Sequence, residues 1–302
     1  SAVGGESQSK NIINGEFPYP LDRDTNKGDY NPVSSYRRTF SVPESWKDRR
    51  VILRFEGVGS AFYVWVNGKM VGYAEDSKLP SEFDITEFLN APSTNLLAVQ
   101  VFKWCDGSYL EDQDMFRYSG IFRDVTLWSM PKDGIWDFKI SEKLKVESGK
   151  CKEASISVDG IDGEWDATLY DASRKPVATL NFKLSTFNFP LSSLPRLWSA
   201  EDPYLYTLVV KKGGDIRAKK VGFKEQRIVG NTFLVNGMPV KMKAANRHET
   251  NPENGRTVSL GDMLKDITLF KQFNINTVRT CHYPDHRLWY DLCDRYGVYV
   301  IA

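Results

Sequence analysis

"LGDMLKDITLFKQFNINTVRTCHYPDHRLWYDLCDRYGVYVI", residues 260–301, decides how the chain is read. Met263, Ile267 and Phe270 fall at i, i+4 and i+7 with Leu264 beside them, the spacing of one helix face. Ser259 and Asp262 stand where a helix N-terminus needs capping groups, so a helix is predicted over 260–274. "INTVRTCH" (275–282) reads as a strand and "DHRLWYDLCDRYG" (285–297) as a second helix, stopped by Gly297 at its C-cap. "VYVIA" (298–302) reads as a further strand, and upstream "FLVNGMPVKMKAANRH" (233–248) as a hairpin followed by a strand. Strand, helix, strand, helix, strand is the opening of a parallel α/β unit. Two helices do not cover both faces of three parallel strands, so a larger domain is expected to continue past residue 302.

Outward from this unit the pattern changes to strands. "SYRRTFSV" (35–42), "RVILRFEGV" (50–58), "AFYVWVNGKMVGYA" (61–74), "NLLAVQVFKW" (95–104) and "FRDVTLWSM" (122–130) are rich in β-branched and aromatic residues. Asn67-Gly68 is a strong hairpin signal, because both turn positions want φ > 0. This spacing predicts an antiparallel sandwich or jelly roll. After a Pro/Gly linker at 130–135, "EASISVDG", "WDATLYDA", "PVATLNFKL" and "LYTLVVKK" suit a small seven-strand sandwich with Trp165 and Trp198 in its core or edge. The expected fold is multidomain and mainly β: a jelly roll over 1–133, an immunoglobulin-like β-sandwich over 134–226, and the start of a TIM barrel over 227–302.

Bulk properties exclude several classes. A formal net charge of +1 with no basic block argues against nucleic-acid and polybasic membrane partners. No apolar run approaches a membrane span. "SAVGGESQSK" has no apolar core and reads as a loose end rather than a signal peptide, which leaves localisation open. Cys105, Cys151, Cys281 and Cys293 are scattered without a CxxC, so they read as isolated thiols.

Two stretches are dense in chemistry. Asn246, Arg247, His248 and Glu249 follow an apolar run, and packing gives no evident reason for four such groups in a row. In a (β/α)₈ barrel, catalytic residues sit at strand C-termini. His248 and Glu249 follow the first strand, and Arg279 and His282 end the second; His286, at a helix start, reads as structural. The other stretch is "YLEDQDMFRYSGIFRD" (109–124), where Glu111, Asp112 and Asp114 crowd together before Arg117 and Arg123. Three carboxylates so close need cations, a metal or a polyol ligand, or else solvent.

These residues, with "GVGSAFYVWVNGKMVGYAEDSKLPSEFDITEFL" (57–89), "WCDGSYLEDQDMFRYSGIFRDV" (104–125), "LWSAEDPYLYTL" (197–208), "VGFKEQRI" (221–228), "NRHE" (246–249) and "VRTCHYPDHRLWYDLCDRYGVYVI" (278–301), strongly resemble the bacterial lactose-type β-galactosidases of glycoside hydrolase family 2. The resemblance runs from about residue 12 to residue 302. It implies a retaining β-galactosidase built from a jelly-roll sugar-binding domain, an immunoglobulin-like sandwich and a (β/α)₈ barrel, acting on β-galactosides. His248 and His282 would hold galactose hydroxyls and stabilise the transition state, Arg279 would brace the nucleophilic glutamate, and Asn14 in "IINGEFP" would contact substrate. Asp114 would touch galactose and a bound Na⁺. The family's acid/base glutamate, nucleophile and Mg²⁺ ligands align past residue 302, so the 302 residues are expected to be inactive alone. A homo-oligomeric parent is also implied. Phe116 stands where relatives have Trp, and Gly59 where they have Asn, a change expected to alter a turn. A β-glucuronidase or β-mannosidase of the same family, a non-catalytic carbohydrate-binding module and a self-associating structural fragment are the competing expectations.

Overall fold

The structure is a computed structural model and describes residues 31–90, 93–110 and 113–302. The first unit contains β1 (Val33–Phe40), β2 (Arg50–Phe55), β3 (Val58–Gly59), β4 (Ala61–Val66), β5 (Lys69–Ala74), β6 (Ser81–Asp84), β7 (Asn95–Phe102), β8 (Gly120–Ile121) and β9 (Val125–Met130). They form antiparallel sheets in the orders β1-β7-β4-β5 and β6-β2-β9, linked by the short pair β3-β8. Alternation along β4 buries Phe62, Val64 and Val66. These meet Val51, Leu53 and Phe55 of β2 across the sandwich core. Asn67 and Gly68 take φ of 53° and 79°, the left-handed turn that the Asn-Gly pair predicts. Gly59 does not sit in a turn: it pairs with Gly120 between β3 and β8.

The second unit contains β10 (Lys139–Glu147), β11 (Lys150–Asp159), β12 (Asp166–Tyr170), β13 (Pro176–Asn181), β14 (Thr186–Asn188), β15 (Tyr206–Lys212) and β16 (Asp215–Val221). Their orders, β10-β11-β14 and β13-β12-β15-β16, make a seven-strand sandwich. Ile156 and Val158 face Ala167, Leu169, Leu208 and Val210 across its core, with Trp165 among them. Trp198 has a different place. It stacks edge-on against Tyr299 with centroids 5.6 Å apart, and its indole N–H donates to the Asp294 carbonyl at 2.8 Å.

The third unit opens with a small meander, β17 (Gln226–Val229), β18 (Thr232–Val235) and β19 (Met238–Pro239). Then follow β20 (Ala244–Arg247), α1 (Leu260–Gln272), β21 (Thr277–Thr280), α2 (Arg287–Tyr296) and β22 (Tyr299–Ile301). β20, β21 and β22 are parallel and adjacent in that order. α1 starts on a capping box: the Ser259 hydroxyl accepts from Asp262 N–H, and Asp262 accepts from Ser259 N–H. α2 stops at Gly297, whose φ is 72°; a Cβ there would lie 2.2 Å from the Ala200 carbonyl oxygen. That close approach and the positive φ both require glycine. Met263, Ile267 and Phe270 of α1 meet Val278, Trp289, Leu292 and Cys293 in one core.

Strand alternation divides this small sheet. Arg247, Val278 and Thr280 are buried on the helix side, whereas Asn246, Arg279 and Ile301, which share a register row, are exposed on the other. The second unit closes the N-terminal end of the sheet through Trp198, Ala200, Val235 and Tyr299. The first unit docks at the C-terminal end. Among the described residues, no helix is long and apolar enough to cross a membrane.

Candidate functional site

β20 and β21 end side by side, Arg247 opposite Thr280. The next residues carry the imidazoles. His248 and His282 stand edge to face with ring centroids 5.5 Å apart, and Tyr283 lies 6.1 Å from His248. His248 is exposed and His282 half-buried. Partial burial, and then the neighbouring His282, lower the pKa of His248 below the ordinary 6.5; Asp114 pulls in the opposite direction. The His248 ring is therefore mainly neutral at pH 7, offering one donor and one acceptor nitrogen to a ligand.

Packing does ask for its neighbours, contrary to the sequence expectation for 246–249. The Arg247 guanidinium lies 3.9 Å over the Trp289 ring and donates to Asp266 and Asp285, each at 2.9 Å. Glu249 is 2% exposed and accepts from Arg123 of the first unit at 2.5 Å and from His286 N–H at 2.7 Å. Its own N–H donates to the Tyr283 hydroxyl at 3.1 Å. Only Asn246 and His248 of the four are exposed. Glu249 and Asp285 each hold a buried arginine, and burial pushes the Asp285 carboxyl up to about 6 despite Arg247.

The first unit delivers Asp114. Its loop is tied to the 250–257 loop by Arg256, which donates to the Tyr118 carbonyl at 3.0 Å and lies 4.7 Å over Phe122. Asp114 is exposed and near enough to act on the charge of His248. Arg123 donates to Glu249 and to the Lys78, Glu56 and Pro284 carbonyls. Arg279 lies on the exposed face and donates to Cys281 Sγ at 3.3 Å. His286 is structural, its Nδ1 accepting from Leu288 N–H at the start of α2. Asn14, Glu111 and Asp112 lie outside the described residues.

Lys78 escaped sequence reasoning. Its ammonium nitrogen is 3.3 Å from the Tyr283 ring centroid, and burial, reinforced by Arg256 and Arg123, lowers its pKa to about 6. Nothing in "EDSKLP" marks that lysine; only folding places it under the histidine loop. A cavity of about 1200 Å³ lies elsewhere, lined by residues such as Trp128, Trp136, Arg217 and Arg287, and is lined by neither His248 nor His282. Chemistry and geometry together favour the histidine mouth over that cleft, because the mouth is where strand ends converge.

A jelly roll and a sandwich lead into a parallel strand–helix unit with histidines at adjacent strand ends, the layout of a multidomain protein that opens an α/β barrel. Three models of one family match the chain in succession: the sugar-binding domain of glycosyl hydrolases family 2 over 6–131, the central domain over 124–224 and the TIM-barrel domain over 227–302. The chain belongs to glycosyl hydrolase family 2. It is 44% identical to a β-galactosidase of Priestia megaterium over 297 residues and 41% identical to one of Halalkalibacterium halodurans over 294, each alignment covering 90% of this chain. The chain spans 28% of the length of these two relatives. Among solved structures, a β-D-glucuronidase of Dictyoglomus thermophilum superposes with a TM-score of 0.80 at 27% identity, covering 96% of this chain and 52% of that one. A β-glucuronidase of an uncultured Clostridium superposes with the same TM-score at 28% identity, covering 96% and 51%.

Proposed function

We propose that this chain is the sugar-binding and barrel-opening part of a retaining β-galactosidase that removes terminal β-D-galactose. The observation that carries the reading is the His248–His282 pair at the ends of two adjacent parallel strands, in a chain over 40% identical to two β-galactosidases. His248 and His282 hydrogen-bond sugar hydroxyls, more tightly as charge develops on the sugar ring, which lowers the barrier. Asp114 closes the mouth from the jelly roll, and Asn14 adds a substrate contact. Arg279, on the sheet face that a closed barrel would enclose, braces the nucleophile. The retaining mechanism needs two carboxylates for the bond chemistry, and in this proposal further barrel strands supply them.

Asp114, an exposed carboxylate, suits a hard cation such as Na⁺ as one oxygen ligand beside the sugar. That ion would supply positive charge at a galactose hydroxyl. Mg²⁺ belongs to the same proposal through ligands outside these residues, as does a homo-oligomeric parent, which light scattering of the longer protein tests.

β-Glucuronidase is the second reading, supported by the superposed structures; the sequence identity to the β-galactosidases is higher. The experiment is to assay the chain with its C-terminal continuation against aryl β-galactoside and aryl β-glucuronide, with and without His282→Ala. Galactoside turnover that collapses in the variant supports the reading. Glucuronide turnover, or galactoside turnover indifferent to His282, overturns it.

A further inference from the structure

We infer that His248, Cys281 and His282 form a binding site for a thiophilic divalent cation of the zinc class, open to solvent on its fourth side. Their ligand atoms all lie within 4.8 Å of one another. Tetrahedral zinc bonds of roughly 2.0–2.3 Å put ligand atoms about 3.3–3.8 Å apart, so closure asks for a shift of about 1 Å.

The surroundings of the thiol separate it from an ordinary core cysteine. Cys293 packs among Met263, Ile267, Trp289 and Leu292, and burial pushes its thiol up to about 12. Cys281 is equally enclosed at 1% exposure but lies outside that apolar cluster. Its sulfur accepts from the Arg279 guanidinium at 3.3 Å, its S–H donates to the Arg279 carbonyl at 3.5 Å, and it lies within 4.8 Å of a ring nitrogen of each imidazole. Two imidazoles and one thiol select zinc-like ions and select against Na⁺, Mg²⁺ and Ca²⁺, which prefer oxygen. Binding forms a metal–sulfur bond and releases the Cys281 thiol proton to solvent. The same imidazoles then cannot face a sugar, so the cation acts as a blocker of this mouth. The inference stands without the sugar reading, because it concerns the three side chains alone.

Co²⁺ is the probe, added at neutral pH to the 302-residue chain under a non-thiol reductant. One equivalent is expected to give a near-ultraviolet sulfur-to-cobalt charge-transfer band that Zn²⁺ bleaches. Cys281→Ser abolishes the band. Cys105→Ser retains it, which excludes the second cluster of Glu75, Cys105 and Asp106. His248→Ala, a change at an exposed side chain with little risk to folding, weakens Co²⁺ binding by roughly tenfold or more. A missing band, a band that survives Cys281→Ser, or affinity unmoved by His248→Ala overturns the inference.

Discussion

His248 and Glu249 are adjacent in the chain and opposite in circumstance. The His248 side chain is exposed at a mouth, beside His282. Glu249 is sealed beneath it, bonded to Arg123 from a residue 126 positions away and to the backbone of His286. A strand end turning into a loop sends successive side chains in different directions, so one residue becomes support and the next becomes available to a ligand. The lesson is that a dense polar run at a barrel strand end is not uniformly a site. Arg247 and Glu249 build the frame; His248 uses it.

The largest effect should come from breaking the frame. Glu249→Ala leaves the Arg123 guanidinium buried without its carboxylate and should cost about 3–5 kcal/mol. A fall in the urea midpoint of the transition that reports the first and third units would show it. Arg123→Met/Glu249→Leu should lose less than the single alanine variant, because neither charge is then stranded. Equal losses would mean that packing, not the unpaired charge, dominates.

The available side of the comparison gives the next effect. On the proposed function, His282→Ala in the chain with its C-terminal continuation should lower kcat/KM for an aryl β-galactoside by roughly 10²–10³-fold, about 2.7–4 kcal/mol, the scale of one lost donor to developing charge. The urea midpoint should barely move. A variant that loses stability and activity together would place His282 with the frame instead.

Comparable in size is the helix stop that seats the second unit. Gly297→Ala costs about 1–2 kcal/mol for the left-handed conformation and about 1–3 kcal/mol more for a Cβ driven onto the Ala200 backbone. Thermal melting checks the loss, and relief by Ala200→Gly is not expected, since the clash is with backbone.

Smallest per pH unit, though it accumulates across its window, is a slope. Lys78 is depressed to about 6 when folded against 10.5 for the free side chain, chiefly by burial. Between those values the unfolded chain holds the proton and the folded chain does not, so stability falls as pH drops through this window. The slope is at most about 1.4 kcal/mol per pH unit. Lys78→Met should flatten it, and urea midpoints measured across the window would show whether it does.

Much of this was legible in local sequence. Ser259 with Asp262, Gly297, Asn67-Gly68 and the alternation along residues 61–66 act over a few residues, so pattern alone located those elements. The two histidines were legible for the same reason: their strands are short, parallel and bounded by helices of clear period. The strands Ser81–Asp84 and Thr186–Asn188 were not anticipated, because so few residues carry little period and take their place from the partner strand. Trp198 was read as part of the sandwich and instead seals the sandwich to the barrel sheet through Tyr299.

The sequence by itself determined the order of the three units, the helix limits and the two candidate imidazoles, since propensity, capping and periodicity are short-range. Only the tertiary structure decided that Glu249 is a clamp, that Lys78 is buried against Tyr283, and that the thiol of Cys281 converges on His248 and His282. Those outcomes join residues from separate elements or separate units. Burial and charge pairing across such distances have no signature in either partner's neighbours along the chain.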